Sequence, residues 1–171
     1  MQLSLGAWEI RDLVPRDAAA RVKYANNRRI SRNVRDIFPH PYTAADADAF
    51  LARTFAKQPR EAFAIATPEE LIGGIGLLPG EDVYRRSAEI GYWLAEPFWG
   101  KGIATRAVRA LCDWAFANLD IVRIYAGVFE TNPASSRVLE KAGFQLEGRL
   151  RMAVTKEGRT FDELLYARLR A

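Results

Sequence analysis

EIGYWLAEPFWGKGIAT, residues Glu89–Thr105, combines a strand, a short loop and the start of a helix. Gly100 and Gly102 flank Lys101 just before the predicted helix. Backbone N–H groups in the first turn of a helix lack intrahelical partners and carry partial positive charge. Because glycine has no Cβ, a phosphate can approach such N–H groups closely. The loop is therefore predicted to hold a phosphate group.

Two common phosphate-binding motifs fit this loop poorly. A Walker P-loop needs a glycine five residues before the Gly-Lys pair and a Ser or Thr after the lysine, where this chain has Ala95 and Gly102. A dinucleotide-binding turn needs a third glycine, where this chain has Thr105. The three glycines at 73, 74 and 76 lie inside a predicted strand with no helix after it, which indicates a bulge or close packing.

The loop does resemble the acetyl-CoA loop of the GNAT N-acetyltransferases, written Q/R-x-x-G-x-G/A. Gly102 and Ala104 match its last two fixed positions, and Trp99 replaces the Gln or Arg. This departure is similar to the RimJ/RimL-type branch, whose members often have WGKG there. The resemblance covers essentially the whole chain and is most specific over Glu89–Arg151, which includes an N-x-x-S turn. Weaker similarity is found at Phe38–Leu51 and Asp162–Leu169.

The composition is that of a globular protein of 171 residues, with 49% hydrophobic and 27% charged residues. No apolar run approaches the roughly 20 residues of a membrane span, and charges interrupt the first 20 residues where a secretory signal would lie. The single cysteine, Cys112, excludes an internal disulfide and is expected to be a small core residue. We therefore expect a cytoplasmic protein with no membrane partner.

The net charge of +4 favours anionic partners, among which are CoA and nucleic acids. The basic residues are scattered along the chain, which argues against a nucleic-acid partner. A homodimer stays open at this point. No metal site is expected.

Helices and strands are predicted from hydrophobic periodicity and from the concentration of β-branched and aromatic residues. The predicted strands are Ala7–Val14, Glu61–Thr67, Leu71–Leu78, Ser87–Ala95, Ile121–Phe129, Phe144–Val154 and Thr160–Arg170. The predicted helices are Arg16–Val34 in two pieces, Thr43 to about Lys57, the segment after Gly102, and Pro133–Ala142.

The connection from Glu89 to Phe129 is strand, helix, strand, and it is the one clear parallel crossover. We expect one N-acetyltransferase domain over residues 1–171, in the α/β (α+β) class. Its sheet is predicted to be mixed, mostly antiparallel and twisted, with about seven strands and flanking helices.

The resemblance implies acetyl-CoA as cosubstrate and a primary amine as acceptor, without a metal. In the family, the strands before and after the loop helix splay apart, and the pantetheine arm of acetyl-CoA enters between them. Backbone groups of Trp93 and Leu94 would then contact the arm and the thioester, and an N–H near Leu94 would stabilise the developing oxyanion. The residues that would hold the pyrophosphate are Gly100, Lys101, Gly102, Ile103, Ala104 and Thr105.

Three further side chains are implied in catalysis or cofactor binding. Glu89 shares a strand face with Gly91 and is the candidate base, acting directly or through water; the alternative is a structural carboxylate. Asn132 and Ser135 match the N-x-x-S turn, where the Asn contacts the cofactor and the Ser protonates the leaving sulfur. Asn132 is also a good N-cap for a helix that begins at Pro133. Many relatives have a tyrosine four residues after that serine, where it acts as the general acid; this chain has Leu139 there.

Phe38, His40 and Tyr42 form a loop that would lie near the acceptor in this family, with His40 as a weaker base candidate. The absent tyrosine and a modest base favour an amine that is partly neutral at pH 7. An α-amino group, with a pKa of about 7.7–8.0, meets this condition better than lysine at about 10.4. The predicted function is N-acetylation of a protein N-terminus, a peptide or a small molecule. The alternative is a non-catalytic acyl-CoA-binding or sensing module on the same fold.

Overall fold

The computed structural model describes residues Met1–Ala171 as five α-helices, eight strands and two short 3₁₀ turns. The helices are α1 (Asp17–Ala25), α2 (Arg28–Ser31), α3 (Ala44–Ala56), α4 (Ile103–Asn118) and α5 (Pro133–Lys141). The strands are β1 (Gln2–Ser4), β2 (Glu9–Asp12), β3 (Ala62–Ala66), β4 (Leu71–Pro79), β5 (Ser87–Leu94), β6 (Arg123–Phe129), β7 (Gln145–Lys156) and β8 (Arg159–Leu169). None of the helices has the length and apolar composition that a membrane crossing requires.

The strands form one mixed sheet in the order β1-β2-β3-β4-β5-β6-β8-β7. β5 and β6 run parallel, and the other registered pairs are antiparallel. This confirms the predicted α/β class, the mostly antiparallel sheet and the parallel crossover. The eighth strand is β1, a three-residue edge strand that pairs with β2.

Contacts divide the chain into two compact units. The first contains Met1–Gly76 and Tyr92–Ala107, and the second contains Leu77–Gly91 and Val108–Ala171. β4, β5 and α4 each contribute residues to both. The single domain over residues 1–171 stays a prediction.

In the first unit, an ion pair between the half-buried Arg11 and the buried Asp17 fixes the start of α1. Asp17 is 2% exposed and accepts two hydrogen bonds from Arg11, each 2.8 Å long, and one from the Val14 N–H. The hydrogen bond from Arg11 to Asp17 is the main reason why the pKa of Arg11 is raised. α3 begins with the predicted capping box, in which Thr43 and Asp46 bond reciprocally.

The strand glycines of β4 serve close packing, as predicted. A Cβ on Gly73 would lie 2.5 Å from the Trp93 carbonyl oxygen, and one on Gly74 would lie 2.6 Å from the Trp93 indole nitrogen. Only glycine therefore lets β4 approach the Trp93 end of β5 at this distance.

The second unit is built on the hairpin of β7 and β8, which turns at Glu157 and Gly158, and on β6. β6 and β8 share seven registered pairs, whereas β5 and β6 share three, from Ser87↔Arg123 to Glu89↔Tyr125. Leu111 and Cys112 of α4 are fully buried. This burial confirms the prediction of Cys112 as a small core residue, and it raises the pKa of the thiol to about 12.

Candidate functional site

The glycine loop is open where a phosphate would have to approach. Gly100 and Gly102 have φ angles of +76° and +71°, and a Cβ built on either would meet no heavy atom within 4 Å. Ile103 is fully buried and anchors the first turn of α4, a helix of 16 residues. Lys101 is exposed, with its Nζ 5.3 Å from the centre of the Phe98 ring. Left-handed glycines beside free space at a helix N-terminus provide the geometry that an anionic group requires.

Trp99 ties this loop to the end of β5. Its indole Nε1–H donates to the Leu94 carbonyl at 2.7 Å. The Arg29 guanidinium lies 5.2 Å from the Trp99 ring centre and bonds Glu96, which also accepts from Asn27 at 2.8 Å. The tryptophan that replaces the usual Gln or Arg therefore holds the loop through the backbone. This bond uses the Leu94 carbonyl, and the oxyanion contact by a backbone N–H near Leu94 stays a prediction.

Substituting Trp99→Phe tests this tie. Phenylalanine keeps an aromatic ring for Arg29 but has no N–H for the Leu94 carbonyl. We expect a loss of about 1 kcal/mol in the free energy of unfolding, the net value of a typical hydrogen bond, and weaker acetyl-CoA binding, measured by calorimetry. The control is Trp114→Phe, at a position in the part of α4 that belongs to the second unit. Unchanged acetyl-CoA affinity in Trp99→Phe would contradict a role for the tie in cofactor binding.

Arg106 is a neighbour of the loop that the sequence analysis missed. Its backbone N–H donates to the Gly102 carbonyl, and its Nη2 donates to the Lys101 carbonyl at 3.1 Å. Its guanidinium lies 4.8 Å from the centre of the Trp8 ring and is exposed. The available signal was a cation one helical turn after Gly102, a position that places positive charge beside the loop.

The structure brings Phe38, Tyr42 and Trp93 together around Arg21, which the sequence analysis did not name. The Arg21 Cζ lies 5.6, 5.4 and 5.5 Å from their respective ring centres. Tyr42 is only 3% exposed, and its hydroxyl accepts from Arg21 Nε at 2.6 Å. The predicted aromatic wall of the acceptor loop is therefore mostly core, whereas His40 is exposed. Direct contact of these three loop residues with an acceptor stays a prediction.

Glu89 lies in the second unit, where it is half-buried on β5 and has Tyr125 as its Cα partner on β6. A Cβ built on Gly91 would meet no heavy atom within 4 Å, which confirms the predicted space beside this strand. The role of Glu89 as a base stays a prediction.

Glu163 is a second carboxylate of this unit that the sequence analysis missed. It is half-buried on β8, and its side chain lies over Gly127, where a Cβ would collide with it. Gly127 and Tyr125 share a face of β6, because they are two residues apart in a strand. The absence of a side chain at Gly127 is what lets Glu163 lie against the strand.

Asn132 caps α5 as predicted, since its side chain accepts from the Ser135 N–H at 3.3 Å and Pro133 follows it. Ser135 is half-buried in the first turn. Leu139 is fully buried, so the position of the missing tyrosine belongs to the core. The cofactor and acid roles of Asn132 and Ser135 stay predictions. No group of three or more His, Cys, Asp or Glu side chains is placed to hold a metal ion.

A family model described as an acetyltransferase (GNAT) domain matches residues 8–145. The chain is 45% identical over 93 residues to the probable N-acetyltransferase YjcK of Bacillus subtilis (strain 168), which covers 54% of this chain and 51% of that protein. It is 36% identical over 107 residues to the ribosomal-protein-serine acetyltransferase of Escherichia coli (strain K12), which covers 63% of this chain and 59% of that protein.

The match thus spans between about half and three fifths of the length of these curated relatives. Among solved structures, the crystal structure of spermidine N-acetyltransferase from Vibrio cholerae in complex with CoA and spermine is similar, with a TM-score of 0.80 and 25% identity, covering 95% of each chain.

Proposed function

Because the chain belongs to the GNAT acetyltransferase family, we propose that it transfers an acetyl group from acetyl-CoA to a primary amine. The observation that carries the proposal is the loop at Gly100 and Gly102, with two left-handed glycines and open space at the N-terminus of α4. The exposed cations of Lys101 and Arg106 add attraction for the pyrophosphate. The residues present therefore fit the group that the family binds.

Bound acetyl-CoA would supply the acetyl group as a thioester. The loop N–H groups from Gly100 to Thr105 hold the pyrophosphate, and Trp99 fixes the loop against the Leu94 end of β5. A backbone N–H near Leu94 stabilises negative charge on the carbonyl oxygen, where one well-aimed donor contributes about 3 kcal/mol. Asn132 contacts the cofactor from the N-terminus of α5.

Two side chains move protons in this proposal. Glu89 takes a proton from the attacking amine, directly or through water, as the amine nitrogen bonds to the acetyl carbon. Ser135 donates a proton to the sulfur as the carbon–sulfur bond breaks. Because a thiol with a pKa near that of cysteine, about 8.5, leaves fairly well unaided, Ser135→Ala should cost less than the loss of Glu89.

A screen of amine acceptors with acetyl-CoA, read by thiol release, tests the activity. Thermal stabilisation by acetyl-CoA without amine-dependent thiol release would favour the alternative of a non-catalytic acyl-CoA-binding module. Absence of both signals would contradict the function and the cofactor together.

We propose an α-amino group as the acceptor. The similar protein of Escherichia coli is named for acetylating a ribosomal protein and that of Vibrio cholerae for acetylating spermidine, so proteins similar to this chain differ in acceptor. The proposed base is modest, and the tyrosine that would protonate the leaving sulfur is missing. Both features favour an amine that is already partly neutral at pH 7.

We therefore expect α-amines to be acetylated faster than lysine ε-amines at pH 7. The measurement is mass spectrometry of a peptide that carries both amine types, with an N-terminally blocked copy of the peptide as control. Modification mainly at the ε-amine would overturn the choice of acceptor while leaving the acetyltransferase activity in place.

A further inference from the structure

Arg21 is a buried cation without an anionic partner. It is 4% exposed, and burial is the largest cause that lowers the pKa of its guanidinium. The Tyr42 hydroxyl opposes this shift, the positive charge of Arg53 adds to it, and no carboxylate is among its causes. Arg11 of the same unit shows the usual solution, with Asp17 as a bonded partner. A buried charge is costly unless it is paired, so the environment of Arg21 requires an explanation.

Aromatic rings around Arg21 stabilise part of its buried charge. The Arg21 Cζ lies 3.6 Å from the Phe50 ring centre, and the rings of Phe38, Tyr42 and Trp93 lie between 5.4 and 5.6 Å away. Each close ring attracts the cation through its quadrupole. We name this arrangement the Arg21 cage: Arg21, Phe38, Tyr42, Phe50 and Trp93.

The cage stabilises the charge but uses few of its hydrogen-bond donors. A guanidinium has five N–H donors in a planar fork that suits a carboxylate. The hydrogen bond of Arg21 goes from Nε to the Tyr42 hydroxyl, which fixes the plane of the fork. The Nη groups are thereby oriented without a protein anion to receive them.

The cage also shares a strand with the proposed thioester site. Trp93 precedes Leu94 on β5, and the Leu94 carbonyl receives the indole N–H of Trp99. We propose that Arg21 binds a carboxylate carried by the acceptor, which makes an amino acid, or a peptide with an acidic side chain near its N-terminus, the preferred amine. This inference rests on the proposed function and narrows its acceptor.

The test uses acceptor pairs that differ only in a carboxylate: an amino acid and its carboxamide, and a peptide amide with Asp or Asn as its second residue. The measured quantity is kcat/KM for the acceptor with the carboxylate divided by kcat/KM for its amide counterpart. This ratio is compared between wild type and Arg21→Gln. The two acceptors of a pair differ in intrinsic reactivity, so the absolute value of the ratio is not informative. The change in the ratio from wild type to Arg21→Gln is. We expect a decrease of about tenfold or more, since truncating a buried charge pair is costly, and the pair that responds identifies the source of the carboxylate.

Two controls accompany this variant. Arg53→Gln removes a neighbouring exposed charge and should leave the ratio unchanged. Arg21→Lys keeps the charge without the planar fork and should restore part of the preference. Circular dichroism and the melting temperature without ligand show whether each variant is folded. If Arg21→Gln is unfolded, the kcat/KM ratio of Arg21→Lys is compared with wild type instead.

A binding measurement keeps the inference independent of turnover. N-acetylated amino acids and their carboxamides are titrated into the protein with CoA present, and binding is measured by calorimetry. Tighter binding of the acids to wild type, lost in Arg21→Gln, supports the proposal. The proposal is overturned if wild type binds the acids and the carboxamides equally, if it binds neither, or if the kcat/KM ratio is the same in Arg21→Gln. If the acids bind to wild type but no thiol is released, only the proposed activity is contradicted.

Discussion

Substituting Gly102→Asp should abolish the stabilisation of this protein by acetyl-CoA. Gly102 has a φ of +71° and no heavy atom within 4 Å of a Cβ built on it, so an aspartate would put a side chain and a negative charge into the proposed pyrophosphate site. At a ligand concentration a hundredfold above Kd, wild type should gain about 2.7 kcal/mol, and the variant should gain nothing. The measurement is the melting temperature with and without acetyl-CoA.

Gly158→Asp is the matched control. Gly158 lies in the turn between β7 and β8 with a φ of +74° and the same open space, so the aspartate is under comparable backbone strain. This variant should melt lower without ligand but keep its acetyl-CoA shift. A normal shift in Gly102→Asp would remove the phosphate assignment of the loop.

Substituting Glu89→Gln should lower kcat at pH 7 by about 10²–10⁴-fold if the carboxylate is the base. The glutamine has nearly the same shape, so acetyl-CoA affinity should be largely kept. As pH rises, a larger fraction of the amine is neutral without help, and the deficit of the variant should shrink. The measurement is the pH dependence of kcat for both proteins.

Two other carboxylates serve as comparisons for Glu89. Glu147 is exposed on β7 in an ion pair with Arg123, and Glu147→Gln should leave the pH–rate profile unchanged. Glu163 is half-buried over Gly127, and Glu163→Gln examines the carboxylate that sequence analysis missed. If Glu163→Gln, and not Glu89→Gln, changes the profile, the assignment of the base to Glu89 is wrong.

Features set by local sequence were predictable. The capping box of Thr43 and Asp46 depends on residues three apart, and the cap of α5 depends on Asn132 and the proline after it. The parallel crossover followed from one strand–helix–strand pattern. β1 was missed because three residues are too few to show a period of two.

Features set by distant residues were not predictable. The environment of Arg21 depends on Phe38, Phe50 and Trp93, which lie 17, 29 and 72 positions further along the chain. Tyr42 was expected to face an acceptor, yet its hydroxyl faces Arg21 inside the core. The contact of Glu163 with Gly127 depends on strand pairing, which a single sequence does not specify.

At the loop, the neutral hydrogen bond from Trp99 to Leu94 holds the backbone geometry, whereas other residues supply the positive charge. A neutral indole N–H fixes the loop, so dissolved salt should not loosen it. The positive charge comes from the exposed side chains of Lys101 and Arg106, and such charges are screened over about 8 Å at physiological ionic strength. Ionic strength should therefore govern how readily the anionic cofactor is captured, while the geometry that receives it stays the same.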